Sequence, residues 1–429
     1  MPLRHEDTEP HKGKDTLVYS FVPLGVFVSL CQIPKFFSSL IELLAQRRSV
    51  CCRNESESDR NMRRIPVWIL AVVLCASFAG VIVMAQTSKA PAVSQVRWQD
   101  VLRQTSEWYA SDEAVRIANN VLAFQRDEGG WPKNLDMAKA LTERDTADLV
   151  RQRQNDDSTI DNGATWTQLT LLARVFSGKK LQSHKDAFLK GVDYLLNAQY
   201  QNGGWPQYYP RLTGYYRHIT FNDGAMIGVL GVLRDIADRK PEYAFVDELR
   251  RNRSERAVLK GIECVLKTQI VVQGSRNVWC QQYDEVTLAP AAARTYELVS
   301  LASAESAGIV RFLIGLPKPN REVIAAVESA VAWFETSRID GIRWVEKRDP
   351  ALEGGFDRVV LKDANAGPLW ARFYEIGPNR PIFVGRDGII RYNVAEIEAE
   401  RRRGYQWYVS TPATLIAEDY PAWRRKLPR

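Results

Sequence analysis

Three tryptophans, Trp131, Trp205 and Trp279, stand 74 residues apart, and each closes a related segment. Gln125 with Gly129-Gly130-Trp131-Pro132 is repeated by Gln199 with Gly203-Gly204-Trp205-Pro206, and a degenerate third copy runs from Gln269 through Gly274 to Trp279. A fixed period of this kind marks a repeat architecture, in which each unit buries its apolar face against the next. The residues ahead of each copy, 114–124, 188–198 and 258–268, with 323–334 as a fourth, place apolar side chains at three- and four-residue steps, the period of a helix. After each tryptophan-bearing loop the pattern predicts a second helix, at 164–176, 225–237, 291–304 and 366–376. Period-two strands are not convincing anywhere. The expectation is therefore an all-α chain, an (α/α) toroid of repeated helix pairs with long aromatic loops, closed because the period is about twice that of common open solenoids.

The most specialised of these loops spans residues 199–226. It holds a Gly-Gly pair, a tryptophan, five tyrosines, two arginines, a histidine and an Asn-Asp-Gly turn between two helical patterns. Long loops inside compact domains are functional or disordered, and this aromatic content argues against disorder. The net charge of +7 is modest and its Lys and Arg are scattered, which points away from nucleic acid and towards an acidic ligand.

Residues 1–61 read as an N-terminal extension, such as a mis-assigned start would produce. In residues 62–86, Arg63 and Arg64 precede an apolar run from Val67 to Met84, and Val83-Met84-Ala85 offers small residues for a signal peptidase. This predicts a secreted or periplasmic protein starting near Gln86. The alternative is an uncleaved anchor, since the run is long enough to span a membrane. Four of the six cysteines fall before residue 86, so the remaining domain, 96–429, keeps only Cys264 and Cys280. Two cysteines make no zinc site, and whether they form a disulfide is open.

Chemistry gathers at the starts of the second helices. Asp161-Asn162-Gly163-Ala164 precedes the first, Asn222-Asp223-Gly224-Ala225 the second, Arg294 stands in the third, and Lys362-Asp363-Ala364-Asn365 leads to the fourth. Asn and Asp here can be plain N-caps. One cap needs one such residue, however, and two stand together in each turn. Asp161 and Asp223 together would offer oxygen ligands suited to calcium, in a weak and open site that an acidic ligand could complete. Beside Arg217, Arg294 and Lys362, that pair points to an anionic sugar polymer held partly through metal and partly through arginine. Trp131, Trp205, Tyr208, Tyr209, Tyr215 and Tyr216 offer stacking faces, although GGWP equally reads as a staple between repeats.

In order along the chain, GGWPKN, TIDNGAT, GGWPQYYP to FNDGAM, QQYDEVTLAPAAARTYELVSLASAES, WARFYEI and NRPIFVGRDG resemble the family 10 polysaccharide lyases, which are pectate lyases. The likeness covers about residues 96–408. It implies an (α/α) toroid, Ca2+ as cofactor, and cleavage of polygalacturonate by anti β-elimination to unsaturated products. It further implies that Asp161, Asn162 and Asp223 contact calcium and that Arg294 takes the base position. Arg217, Lys362, Arg380 and Arg386 are implied to hold substrate carboxylates. From the aromatic content of the loop itself, Trp205 and Tyr209 are candidate contacts to the polymer. A monomer acting on polygalacturonate, with a membrane involved only through an uncleaved N-terminal segment, is the corresponding expectation.

Three other readings remain at this level. A toroid glycoside hydrolase needs a spaced carboxyl pair, which Asp161, Asp223, Asp284 and Glu285 could supply. A terpene cyclase shares Gln-and-Trp staples but needs an Asp-x-Asp-Asp motif that the sequence lacks. A non-catalytic carbohydrate-binding repeat would bind polymer without shortening it.

Overall fold

The computed structural model describes residues 96–427, all of them in the second of the chain's two compact units, Ala90–Arg429. The extension and the candidate signal segment lie outside the described residues. Among the described residues no helix is long and apolar enough to cross a membrane. Cys264 and Cys280 are free and buried.

Eight helices form the scaffold: α1 (Asp112–Phe124), α2 (Glu143–Arg151), α3 (Trp166–Lys179), α4 (Gln182–Ala198), α5 (Ala225–Ala237), α6 (Glu248–Lys267), α7 (Ser303–Ile314) and α8 (Arg321–Thr336). Seven of them lie in two layers, and α2 packs on α1. In one, α3, α5 and α7 are successive neighbours; in the other, α1, α4, α6 and α8 follow one another, and each of α3, α5 and α7 packs on the helix that comes after it. The core fills the space between, with Leu169, Leu172, Val192, Leu195, Val229, Leu233, Val265, Val310, Val327 and Phe334 all excluded from solvent. Side-chain caps start helices of the second layer: Ser111 accepts from Ala114 N, Asp247 from Arg250 N and Asn320 from Val323 N. Helices α3, α5 and α7 have no such side-chain cap.

The repeated Gln and Trp are the staples between units. Each indole N–H donates into the last turns of the preceding helix, Trp131 to Val121 O at 2.7 Å, Trp205 to Leu195 O at 2.8 Å and Trp279 to Val265 O at 2.7 Å. Each Gln amide bridges its own loop to the next helix of the layer. Gln125 donates to Gly129 O and Ala187 O, Gln199 to Gly203 O and Ala257 O, and Gln269 to Asn277 O and Ala326 O. The third loop is longer, so Asn277 takes the place of the glycine. Gly203 has φ +94° and its Cα lies so close to Lys260 O that a Cβ would stand 2.1 Å from that oxygen, which requires glycine. A fourth staple has no GGWP at all: Trp370 Nε1 donates to Phe334 O at 2.8 Å.

The expectation of an all-α chain is overturned. Twelve short strands form antiparallel sheets among the described residues. β6 (Ile342–Arg348) and β7 (Phe356–Lys362) make a hairpin, paired from Ile342 with Lys362 to Arg348 with Phe356. The helix expected at 366–376 is two strands, β8 (Trp370–Ala371) against β12 (Tyr408–Val409) and β9 (Phe373–Tyr374) against both β10 (Pro381–Val384) and β5 (Leu301–Ala302). Their large aromatic side chains suit a pleated, buried surface better than a helix. The helix expected at 291–304 begins only at Ser303. Ahead of it, Ala291 N bonds to Gln282 O, Pro290 bridges to Tyr283 and β5 joins a sheet, so tertiary pairing overrides the helical propensity of Ala, Glu and Leu. The remaining strands are β1 (Ile219–Thr220), β2 (Val271–Val272), β3 (Ser275–Arg276), β4 (Gln282–Tyr283) and β11 (Ile390–Arg391). Short helical turns over 411–424 end the described chain.

Candidate active site

Two matching turns lead into α3 and α5. Asp161–Gly163 and Asn222–Gly224 are single 3-10 turns that pack on one another, and in each the middle residue is left-handed, Asn162 at φ 50° and Asp223 at φ 49°. Asn and Asp are the non-glycine residues that tolerate this backbone. The side chains of these turns do not cap the helices.

They build a polar network instead. Asp161 is buried; its Oδ2 accepts from Lys133 Nζ and from Gln207 Nε2 at 2.8 Å, and its Oδ1 accepts from Asn222 Nδ2 at 3.1 Å. The same Asn222 nitrogen donates to Asp223 Oδ2 at 2.9 Å, while Asp223 Oδ1 accepts from Arg372 Nη2 at 3.1 Å. Arg372 also reaches Glu305 Oε1 at 2.5 Å, and Gln281 Nε2 spans Glu305 Oε1 and Asn222 Oδ1, both at 2.9 Å. Electrostatics follow this geometry. Burial pushes the Asp223 carboxyl up against the pull of Arg372. Burial works against the charge on Arg372, but Glu305, Tyr405 and Asp223 hold it firmly protonated. Burial likewise opposes the Lys133 charge, and Asp161 more than offsets it.

The donor set fits a hard cation. Each carboxylate commits one oxygen to a cationic side chain and turns the other, Asp161 Oδ1 or Asp223 Oδ2, towards the same Asn222 amide nitrogen. Two hard oxygens converging on a single donor is the arrangement a calcium ion can take over, with solvent or ligand oxygens filling its remaining positions. Asn162 lies next to this point but is exposed, and its amide donates to Asn134 Oδ1 at 2.8 Å.

A tract of alternating arginine and tyrosine runs from the network. The Arg372 guanidinium lies 4.7 Å from the Tyr405 ring centre, Arg401 lies 4.8 Å from Tyr405 and 4.4 Å from Tyr296, and Arg294 and Arg386 stand 5.0 and 4.7 Å from Tyr296. Arg294 stands in the loop before β5, not at a helix start. It is half-exposed, with Nε 2.9 Å from Glu297 Oε2, and that hydrogen bond raises its pKa although burial acts the other way. Arg386 is paired with Glu400 at 2.7 Å.

The other expected contacts are dispersed. Arg217 Nε lies 3.2 Å from Glu285 Oε1, Lys362 ends β7 in an exposed position, and Arg380 is bound to Glu375 at 2.8 Å and covers the Tyr392 ring. Among the described residues, no hydrogen bond or ion pair ties these three to the carboxylate network. Tyr209 is half-buried, edge-on to Tyr194, whose hydroxyl donates to its carbonyl. Trp205 is completely buried and offers no face to a ligand, so its side chain is a staple. Reading the sequence missed Lys133, Gln207, Gln281, Glu305 and Arg372, and gave no role of its own to Asn222. All six lie within the quoted motifs, but polar partners acquire meaning only from what they touch. A cavity of about 870 Å³ bordered by Arg174, Gly178 and Pro241 shares no residue with this network.

Comparison with known proteins agrees with the geometry. The pectic acid lyase family model matches residues 125–416. Among solved structures, a mutant family 10 polysaccharide lyase from Cellvibrio cellulosa, in complex with trigalacturonic acid, is 32% identical with a TM-score of 0.64, and the match covers 76% of this chain and 95% of that one. A second structure, the family 10 polysaccharide lyase from Cellvibrio cellulosa, is 31% identical with the same TM-score and coverage. No curated protein sequence matches the chain. With the family match running from the first staple glutamine into the C-terminal helical turns, the chain belongs to the pectic acid lyase family and is a family 10 polysaccharide lyase.

Proposed function

We propose that this lyase is a calcium-dependent pectate lyase, cleaving polygalacturonate by anti β-elimination to unsaturated oligogalacturonides. The observation that carries this reading is the convergence of Asp161 and Asp223 beside a tract of arginines, since a polymer with one carboxylate per sugar needs positive charge at each. The related lyase bound to trigalacturonic acid supports the same substrate.

In the reaction a base removes the C5 proton, the C5–H electrons form the C4–C5 double bond, and the C4–O bond breaks with its electrons on the leaving oxygen, which water protonates. Calcium, when bound by Asp161 and Asp223 with Asn162 adjacent, would neutralise the carboxylate next to C5 and so make that proton acidic. Arg372 fixes the orientation of Asp223 from a buried anchor on Glu305. Lys133 and Gln207 do the same for Asp161. Arg294 and Arg386, both beside the Tyr296 ring, are placed to meet further carboxylates. Arg294 takes the base position by family resemblance, and it must first lose a proton to solvent, which the pairing with Glu297 opposes, before it can accept the one from C5. A second reading, in which Arg294 stays charged and clamps the substrate, is favoured by that same Glu297 pair.

The test is incubation of the purified chain with polygalacturonate, with and without a chelator, followed by ultraviolet absorbance of the unsaturated uronide. Rising absorbance that stops on chelation supports the proposal. New reducing ends without absorbance would instead mark a hydrolase. Export to the periplasm or medium is part of the same proposal, and N-terminal sequencing of the mature protein checks it.

A further inference from the structure

The β1–β4 pair sets up a second constellation that the carboxylate network does not use. Ile219 pairs with Tyr283 and Thr220 with Gln282, so the antiparallel register brings the flanking residues His218 and Asp284 opposite each other, with Glu285 next in line. One ligand atom from each of His218, Asp284 and Glu285 lies within 4.8 Å of the other two, and all three side chains are only partly covered. His218 Nδ1 and Glu285 Oε2 stand 3.4 Å apart. That is long for a hydrogen bond. It is about the 3.3 Å separating two ligands of a tetrahedral ion with bonds near 2.0 Å.

The loop carrying these groups is held from several sides. Asp284 Oδ1 accepts from Val286 N, Thr287 N and Thr287 Oγ1, which leaves Oδ2 unused. The loop closes through Asp284 N to Ala289 O and Leu288 N to Asp284 O. Asn202 Nδ2 donates to Glu285 O at 2.8 Å, and the Tyr200 hydroxyl donates to Arg217 O at 2.8 Å. Backbones on both sides of the constellation are thus fixed by side chains from the preceding loop, the kind of outer support that orients metal ligands.

We propose that His218, Asp284 and Glu285 bind a divalent transition ion, with zinc as the reference metal, at a site separate from Asp161 and Asp223. An imidazole nitrogen with two carboxylates suits zinc or its neighbours, whereas the all-oxygen donors at Asp161 and Asp223 suit calcium. The three side chains leave a fourth position for water. Arg217 lies 3.2 Å from Glu285 Oε1 and competes with the ion for that carboxylate.

Equilibrium dialysis of the chelator-stripped full chain against zinc, with metal analysis and a circular dichroism check of folding, tests this. One zinc per chain is expected, and His218→Gln and Glu285→Gln should each weaken it by about tenfold or more. Arg217→Gln should tighten it by removing the competing cation, and Asp161→Asn should leave it unchanged. Cobalt(II) loaded in place of zinc should give the visible absorption of a low-coordinate nitrogen and oxygen site, lost in His218→Gln. Absence of stoichiometric zinc at micromolar free ion, or equal affinity in folded His218→Gln, overturns the proposal. So does loss of zinc in Asp161→Asn, which would place the ion at the other site.

Discussion

Arg372 Nη2 lies 2.5 Å from Glu305 Oε1, and both side chains are almost entirely enclosed. Removing one partner of a buried ion pair strands the other charge, so Glu305→Ala should destabilise the protein by about 3–5 kcal/mol. Denaturant unfolding measures this. A midpoint unchanged from wild type would show that Asp223 alone satisfies the guanidinium.

Trp205→Ala should cost about 3–5 kcal/mol, because it empties a fully buried aromatic site and abandons the bond to Leu195 O. Trp205→Phe should cost less, since most of the volume remains. A Trp205→Ala protein of normal stability that binds polygalacturonate poorly would restore the stacking role to this side chain.

Chelation should abolish turnover, and Asp223→Ala should disturb the calcium requirement far more than Lys180→Ala, a change on the surface at the far end of α3. The readout is activity against free calcium concentration. Full activity in excess chelator would remove the ion from the mechanism.

Arg294→Ala should lower kcat and kcat/KM together by about 100-fold or more, the signature of a proton-transfer group used in the transition state. Arg294→Lys should restore little, since lysine lacks the planar fork. Glu297 holds the Arg294 pKa up, so Glu297→Gln should lower it and move the alkaline rise of activity to lower pH. An unchanged kcat with raised KM in Arg294→Ala would identify a clamp in place of a base.

The hairpin should carry an acid-sensitive tie. Arg402 Nε donates to Asp357 Oδ1 at 3.0 Å, and this bond lowers the Asp357 pKa in the folded state. The stabilisation is therefore present above the unfolded carboxyl value near about 3.9 and is lost as pH falls through the lower folded value. Asp357→Asn should be less stable than wild type at neutral pH, and the two should converge in acid. Parallel stability curves down to the lowest pH would deny the tie a role.

The repeat and its fasteners are written in the local sequence. Gln125, Gln199 and Gln269 and the tryptophans beside them must make the same bonds wherever the unit recurs, so even a degenerate copy is legible. It also marked Asp161 and Asp223, because two adjacent Asx residues before a helix exceed what capping requires. How segments with local helical preference are used depends instead on long-range pairing. Residues 291–302 hold Ala, Glu and Leu, yet their backbone bonds go to β4 and β9, and Arg294 lands on a loop beside Tyr296. The strands at 342–362 flank Gly354-Gly355, a turn signal that expects a hairpin only when both flanking runs are read as strands. Arg372, Glu305 and Gln281 were invisible for a different reason. A buried charge is tolerable only when it is paired, and here the partner is distant in sequence: Arg372 is separated from Asp223 by 149 residues. Local patterning carries no information about such pairs; folding supplies it by bringing the turn before α5 against the bend between β8 and β9 that holds the arginine.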